Sequence, residues 1–172
     1  MSSNLTDHIR NIPDFPIPGI QFKDITTLLR NGDALRQAID VFVARYRGQQ
    51  IDAVVAIESR GFIFGAPLAY ALGIGLVPVR KVGKLPADTY QVEYALEYGT
   101  ATLEIHKDAF KPGARVVVID DLLATGGTIA AACELATKAG ATVVEAAFLI
   151  ELEFLAGRQK LQGYDIFAQI TY

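Results

Sequence analysis

Two adjacent carboxylates, Asp120 and Asp121, stand just ahead of a small-residue turn in the stretch VVVIDDLLATGGTI (116–129). A glycine-rich turn that opens a helix exposes backbone N–H groups at the positive end of the helix dipole, an arrangement that favours an anion. Ala124, Gly126 and Gly127 leave the approach open, and Thr125 and Thr128 add hydroxyl donors. The carboxylates repel a phosphate but accept hydrogen bonds from vicinal hydroxyls. The simplest joint assignment puts a phosphate on Ala124, Thr125, Gly126, Gly127 and Thr128, and the hydroxyls of a ribose on Asp120 and Asp121. Neither GxxxxGK[ST] nor GxGxxG occurs, which excludes a Walker loop and a dinucleotide fingerprint.

A second set of polar residues has the opposite charge. Ser59, Arg60 and Gly61 follow one apolar run, and Arg80, Lys81 and Lys84 follow another. In a chain of net charge −3, cations grouped at strand ends point to an anionic ligand. Arg binds phosphate oxygens bidentately and Lys acts as a mobile point charge. These residues fit a diphosphate. A ribose with phosphate at one end and diphosphate at the other is phosphoribosyl diphosphate.

The elements that must position these groups are legible in the hydrophobic pattern. IDAVVAI (51–57), GLVPV (75–79), VVVI (116–119) and TVVEAAFLI (142–150) read as strands, and residues 164–172 as a last one. Helices are expected at about 62–72 and 129–138, and from an Asp33 cap to about Arg47. Strands separated by helices predict right-handed crossovers and a mostly parallel α/β sheet flanked by helices, with ligands at the carboxyl ends of the strands. That rule alone brings Glu58, Ser59, Arg60 and Gly61, Arg80 to Lys84, and Asp120 to Thr128 onto one rim. Pro78 marks an edge or irregularity.

Two segments depart from this pattern. Residues 1–30 carry an amphipathic spacing at Leu5, Ile9 and Ile12, which predicts a short helix, and then PDFPIPGIQFKDIT (13–26), which is too proline-rich to be regular. Its apolar residues argue for an ordered hood or arm whose backbone reads the edge of a planar ligand while Phe22 stacks on its face. Residues 82–105 alternate as a hairpin and are expected to form a flexible lid.

The chain has 172 residues, 51% of them hydrophobic and 20% charged, which suits one globular domain over 1–172. Its acidity gives no footprint for nucleic acid or an anionic membrane. The single Cys133 excludes an internal disulfide and reads as buried and inert. With no apolar leader or spanning run, a cytoplasmic protein is expected.

PDFPIPGIQFKDIT, ESRGFIFG (58–65), RKVGKLP (80–86), LEYGTATLEIHKDA (96–109) and VVVIDDLLATGGT (116–128) occur in order, and together they resemble the type I phosphoribosyltransferases, in particular their adenine-specific branch. Lys23 stands where arginine is common in that branch, and Gln21 where an apolar residue is common. The resemblance implies transfer of phosphoribosyl from phosphoribosyl diphosphate to adenine, giving AMP and diphosphate, with Mg²⁺ held mainly by substrate and water rather than by a protein cage. It also implies a homodimer. Breaking the anomeric C–O bond builds positive charge on the ribose, so the departing diphosphate needs cations and the ring needs nearby negative charge. On this reading Glu97 and Arg60 are catalytic, Tyr98 closes the lid, and Gln21, Phe22, Lys23 and Leu123 surround adenine. Two rivals are a transferase for a 6-oxopurine and a non-catalytic nucleotide-binding regulator on the same fold.

Overall fold

In the computed structural model, which describes residues 4–96 and 99–172, the chain divides into two compact units, 1–45 and 46–172. The first opens with a 3₁₀ turn (Leu5–His8), not the longer helix expected. Ile9 and Ile12 leave the helical pattern because β1 (Arg10–Pro13) pairs antiparallel with β2 (Gln21–Asp24), pairing Ile12 with Phe22 and Asn11 with Lys23. Phe15 packs edge-on against Phe22 at 5.1 Å, and the Asn11 amide donates to Gln21 Oε1 at 2.7 Å. Asp24 accepts from the Thr26 N–H and pairs with Arg10 at 2.6 Å. The Thr26 bond, followed by Arg10, holds its pKa down at about 2. After α1 (Thr26–Leu29) comes α2 (Gly32–Tyr46). Asn31, not Asp33, caps α2: its Oδ1 accepts from the N–H groups of Asp33 and Ala34.

The second unit is built on a seven-stranded sheet. Its elements in order are β3 (Ala53–Ile57), α3 (Arg60–Leu72), β4 (Gly75–Lys81), β5 (Thr89–Ala95), β6 (Thr100–His106), β7 (Arg115–Leu123), α4 (Gly127–Lys138), β8 (Thr142–Glu151) and β9 (Ile166–Thr171). The strand order is β5-β6-β4-β3-β7-β8-β9, parallel from β4 to β9 with the β5–β6 hairpin antiparallel at one edge. All of β3 is buried, as its β-branched run requires. Pro78 pairs with Ala56 on one side, while β6 meets β4 only at Arg80 and Lys81, so the missing N–H falls where β4 is an edge.

One core cluster joins Val55 and Ile57 of β3, Val116 and Val118 of β7, and Ala132, Cys133, Leu135 and Ala136 of α4. Burial pushes the Cys133 thiol up to about 12, in keeping with an inert packing role. On α3, Gly65 has no room for a side chain: a Cβ would lie 2.6 Å from that of Ala56 and 3.1 Å from Ile119. Among the described residues no helix is long and apolar enough to cross a membrane.

The topology also fixes where a ligand can enter. From β3 the chain crosses through α3 to β4 on one side, while β7 lies on the other side of β3 and leads into α4. The carboxyl ends of β3 and β7 therefore flank a switch point, where doubly wound sheets open a crevice.

Candidate functional site

Both polar clusters meet at that switch point. β7 runs beyond the expected strand, through Asp120 and Asp121 to Leu123. Gly61, in the first turn of α3, lies so close to β7 that a Cβ would stand 2.9 Å from the Ile119 carbonyl and 3.1 Å from Asp120 Oδ1. This approach sets Arg60 beside the acids: its Nε donates to Asp121 Oδ2 at 2.5 Å. Asp121 is buried, while about half of the Arg60 side chain remains exposed. The Asp121 N–H donates to Asp120 Oδ1 at 2.9 Å. Burial, then the charge of Asp121, pushes Asp120 well above the usual carboxylate range, with Arg60 acting against both. A ligand that donates hydroxyls to this carboxylate would stabilise its charged form.

Beyond β7, Gly126 adopts φ +83° and opens α4 with no side-chain cap. The first N–H groups of a helix have no acceptor within it. Here the 125–128 turn, with Arg60 and Asp120, lines a cavity of about 190 Å³. A second cavity, of about 540 Å³, is lined by Ser59, Arg60, Lys81, Lys84 and Tyr94. Arg60, Asp120, Asp121 and Thr128 line both. One cavity offers helix N–H groups, the other offers cations, and two carboxylates stand in their common wall.

The remaining supports are acidic. Glu58, joined to Ser59 by a cis peptide bond, receives the Arg80 guanidinium at 3.0 and 3.1 Å. Arg80, followed by the Lys81 N–H, holds Glu58 below its ordinary pKa against the effect of burial. Arg80 also donates to the Lys84 carbonyl at 3.2 Å. It therefore ties the loop after β4 to the end of β3 and does not line either cavity, a departure from the diphosphate role expected from sequence. Glu104 on β6 is buried and accepts from the N–H groups of Lys84 and Leu85 at 2.9 and 2.8 Å, and from the Thr89 hydroxyl. Burial raises its pKa, but those N–H bonds outweigh it and leave the group below its ordinary value. On the far side of the turn, Arg158 clamps the buried carboxylate of Glu151 with two 2.6 Å bonds. Gly157, next to Arg158, packs on Ala124 and Gly126.

Of the residues expected at the site, Ser59, Arg60, Lys81, Lys84, Asp120, Asp121, Ala124, Thr125, Gly126, Gly127 and Thr128 line one or both cavities. Leu123 is 1% exposed and packs on Gly157, so its side chain is closed to a base; its neighbour Leu122 is partly exposed. Gln21, Phe22 and Lys23 form β2 in the first unit. Glu97 and Tyr98 lie outside the described residues. The β5–β6 hairpin extends the sheet through Arg80 and Lys81 of β4. Sequence reasoning passed over Glu104, Tyr94 and the Glu151–Arg158 pair. Glu104 gave no signal, because it falls on the polar side of the alternation whose apolar members are Ala101, Leu103 and Ile105.

Comparison with known proteins agrees with this geometry. Residues 24–168 match the phosphoribosyl transferase domain family. The chain is 66% identical to an adenine phosphoribosyltransferase of Roseiflexus sp. (strain RS-1), over the whole of both chains. The crystal structure of adenine phosphoribosyltransferase from Thermoanaerobacter pseudethanolicus is 55% identical, with a TM-score of 0.94 over 98% of each chain. That of the Saccharomyces cerevisiae adenine phosphoribosyltransferase, solved with an imino-altritol bisphosphate and adenine, is 41% identical, with a TM-score of 0.91 over 96% of each.

Proposed function

The chain belongs to the phosphoribosyl transferase domain family, and from that premise we propose that it transfers 5-phosphoribosyl from phosphoribosyl diphosphate to adenine, releasing diphosphate and AMP. The observation that carries this reading is the pair of cavities with Arg60, Asp120, Asp121 and Thr128 in common. The helix N-terminus takes the 5′-phosphate, the carboxylates take the ribose hydroxyls, and Ser59, Arg60, Lys81 and Lys84 take the diphosphate.

The chemistry follows from where charge develops. N9 of adenine attacks C1′ as the C1′–O bond to diphosphate breaks. Positive charge grows on the ribose and negative charge on the leaving oxygen. Asp120 and Asp121 hold the hydroxyls and place negative charge near the ring, while Arg60, Lys81 and Lys84 stabilise the departing diphosphate. The N9 proton passes to a base, for which Glu97 on the hairpin turn is our candidate, with Tyr98 beside it closing the site. Gln21, Phe22 and Lys23 of the arm are assigned to adenine recognition.

A Mg²⁺ requirement belongs to the same reading. Among the described residues no cluster of three or more His, Cys, Asp or Glu side chains forms a metal cage. The oxygen donors of Asp120 and Asp121 fit a hard cation that takes most of its ligands from substrate and water. When bound, such an ion neutralises charge on the diphosphate. A homodimer belongs to the same reading: Ile63 and Ala66 lie exposed on α3, with Tyr70 on the same helix 90% exposed.

A base panel tests the proposal. With phosphoribosyl diphosphate and Mg²⁺, adenine should release diphosphate and hypoxanthine, guanine and xanthine should not. Turnover with a 6-oxopurine in place of adenine would overturn the assignment.

A further inference from the structure

The hairpin meets the phosphate turn through one side chain that the mechanism above does not use. Thr128 Oγ1 donates to the Tyr94 hydroxyl at 3.3 Å. The Tyr94 ring also backs the turn, since a Cβ on Gly127 would stand 3.3 Å from Tyr94 Cδ2 and 3.4 Å from the Ala95 carbonyl. Tyr94 lines the larger cavity, and Lys138 of α4 donates to the Gln91 carbonyl at 3.4 Å, so β5 lies along α4. From the structure we infer that Tyr94 is a positioning residue of the 5′-phosphate subsite, acting through Thr128 and tying the hairpin to an occupied turn. This rests on the reading of the turn as that subsite.

A threonine hydroxyl has one proton and two lone pairs, and a tyrosine hydroxyl can donate or accept. At 3.3 Å either of the two hydroxyls can donate to the other. Phosphate oxygens only accept, so on binding the Thr128 proton turns to the phosphate. A Thr128 lone pair then accepts from Tyr94 O–H, and the bond between the two side chains is kept with Tyr94 as its donor. The resulting chain, Tyr94 to Thr128 to phosphate, is polarised along its length and orients the threonine rotor toward the ligand. Tyr94 lies on β5, paired with Ala101 of β6, three residues before Glu97. Phosphate at the turn thereby fixes the strand that leads to the hairpin turn.

The test compares AMP with adenosine, which lacks the phosphate, by calorimetry. Wild type should bind AMP more tightly. Tyr94→Phe, which keeps the ring and removes only the hydroxyl, should weaken AMP about three- to tenfold, the worth of one hydrogen bond, and leave adenosine unchanged. In a Thr128→Val background the same change should have no further effect, while Thr128→Ser should retain the dependence on Tyr94. Equal AMP affinity in wild type and Tyr94→Phe, or equal losses for AMP and adenosine, overturns the proposal. A wild type with no preference for AMP over adenosine overturns instead the phosphate reading of the turn. Hydrogen exchange on unmutated protein gives a second check: AMP, but not adenosine, should slow exchange in residues 89–95, and no difference between the two ligands counts against the coupling.

Discussion

Gly126 is the position at which the geometry of the phosphate turn can be probed most cleanly. Its φ is +83°, and a Cβ there would overlap the Gly157 carbonyl. Replacing it by alanine incurs two separable costs. Holding an L side chain in the left-handed region costs about 1–2 kcal/mol. Forcing the turn away from Gly157 adds about 1–3 kcal/mol, the range for overpacking a tight contact. The sum is about 2–5 kcal/mol, and for a chain of this length it lowers Tm by roughly 4–20 °C. Gly163 is the control, because its φ is +90° but nothing lies within 4 Å of the Cβ position. Gly163→Ala should carry only the conformational cost of about 1–2 kcal/mol. The functional effect should separate further. Displacing one charge-assisted N–H bond to phosphate weakens AMP by about 10- to 100-fold in Gly126→Ala, with adenosine unchanged and Gly163→Ala unaffected. Urea unfolding and calorimetric titration of the two variants give both numbers. Equal stability losses together with unchanged AMP affinity would show that the Gly157 contact does not set the geometry of the turn.

Three further outcomes follow. Burial and Asp121 raise the Asp120 pKa, so the group favours folding below its unfolded value, about 3.9, and that contribution is lost as pH rises through the higher folded value. Asp120→Asn should accordingly flatten the fall in stability above that range in urea titrations of ligand-free protein, while lowering turnover; a steeper fall contradicts the shift. Glu104→Gln places an amide among N–H donors in a buried position, which should cost about 1–3 kcal/mol and raise KM for phosphoribosyl diphosphate more than it lowers kcat, because Lys84 loses its anchor. Asp24 has its pKa depressed to about 2, so its contribution is present above its unfolded value and lost as pH falls through about 2; Asp24→Asn should remove that part of the acid titration, followed by circular dichroism.

What was readable in the chain divides along physical lines. β3 and β7 announce themselves because a strand buried on both faces must be apolar throughout, and the acids at the end of β7 had no structural reason to interrupt it. Asp120, Asp121 and the 125–128 turn were legible for that reason. Leu123 was misjudged because the strand continues past the acids and turns this side chain into the packing against Gly157. Arg80 was assigned to the diphosphate without sight of its partner, Glu58, which is 22 residues away and adjoins it only through the parallel pairing of β3 and β4. The same holds for Glu104, whose donors are backbone groups of another loop. At the N-terminus the spacing of Leu5, Ile9 and Ile12 matched a helix, but pairing with β2 satisfies the backbone of β1 instead. Local pattern reveals elements; partners brought together by the topology decide which polar side chains remain available to a ligand.

On the proposed function one ligand spans both cavities, with its ribose on the acids between them. Adenine-dependent release of diphosphate from phosphoribosyl diphosphate, measured side by side for the wild type and for Asp120→Asn combined with Asp121→Asn, tests it most directly. AMP and diphosphate are expected in equal amounts from the wild type, with loss of nearly all turnover in the folded double variant. Near wild-type turnover without the two carboxylates, or no adenine-dependent release from the wild type, would contradict it.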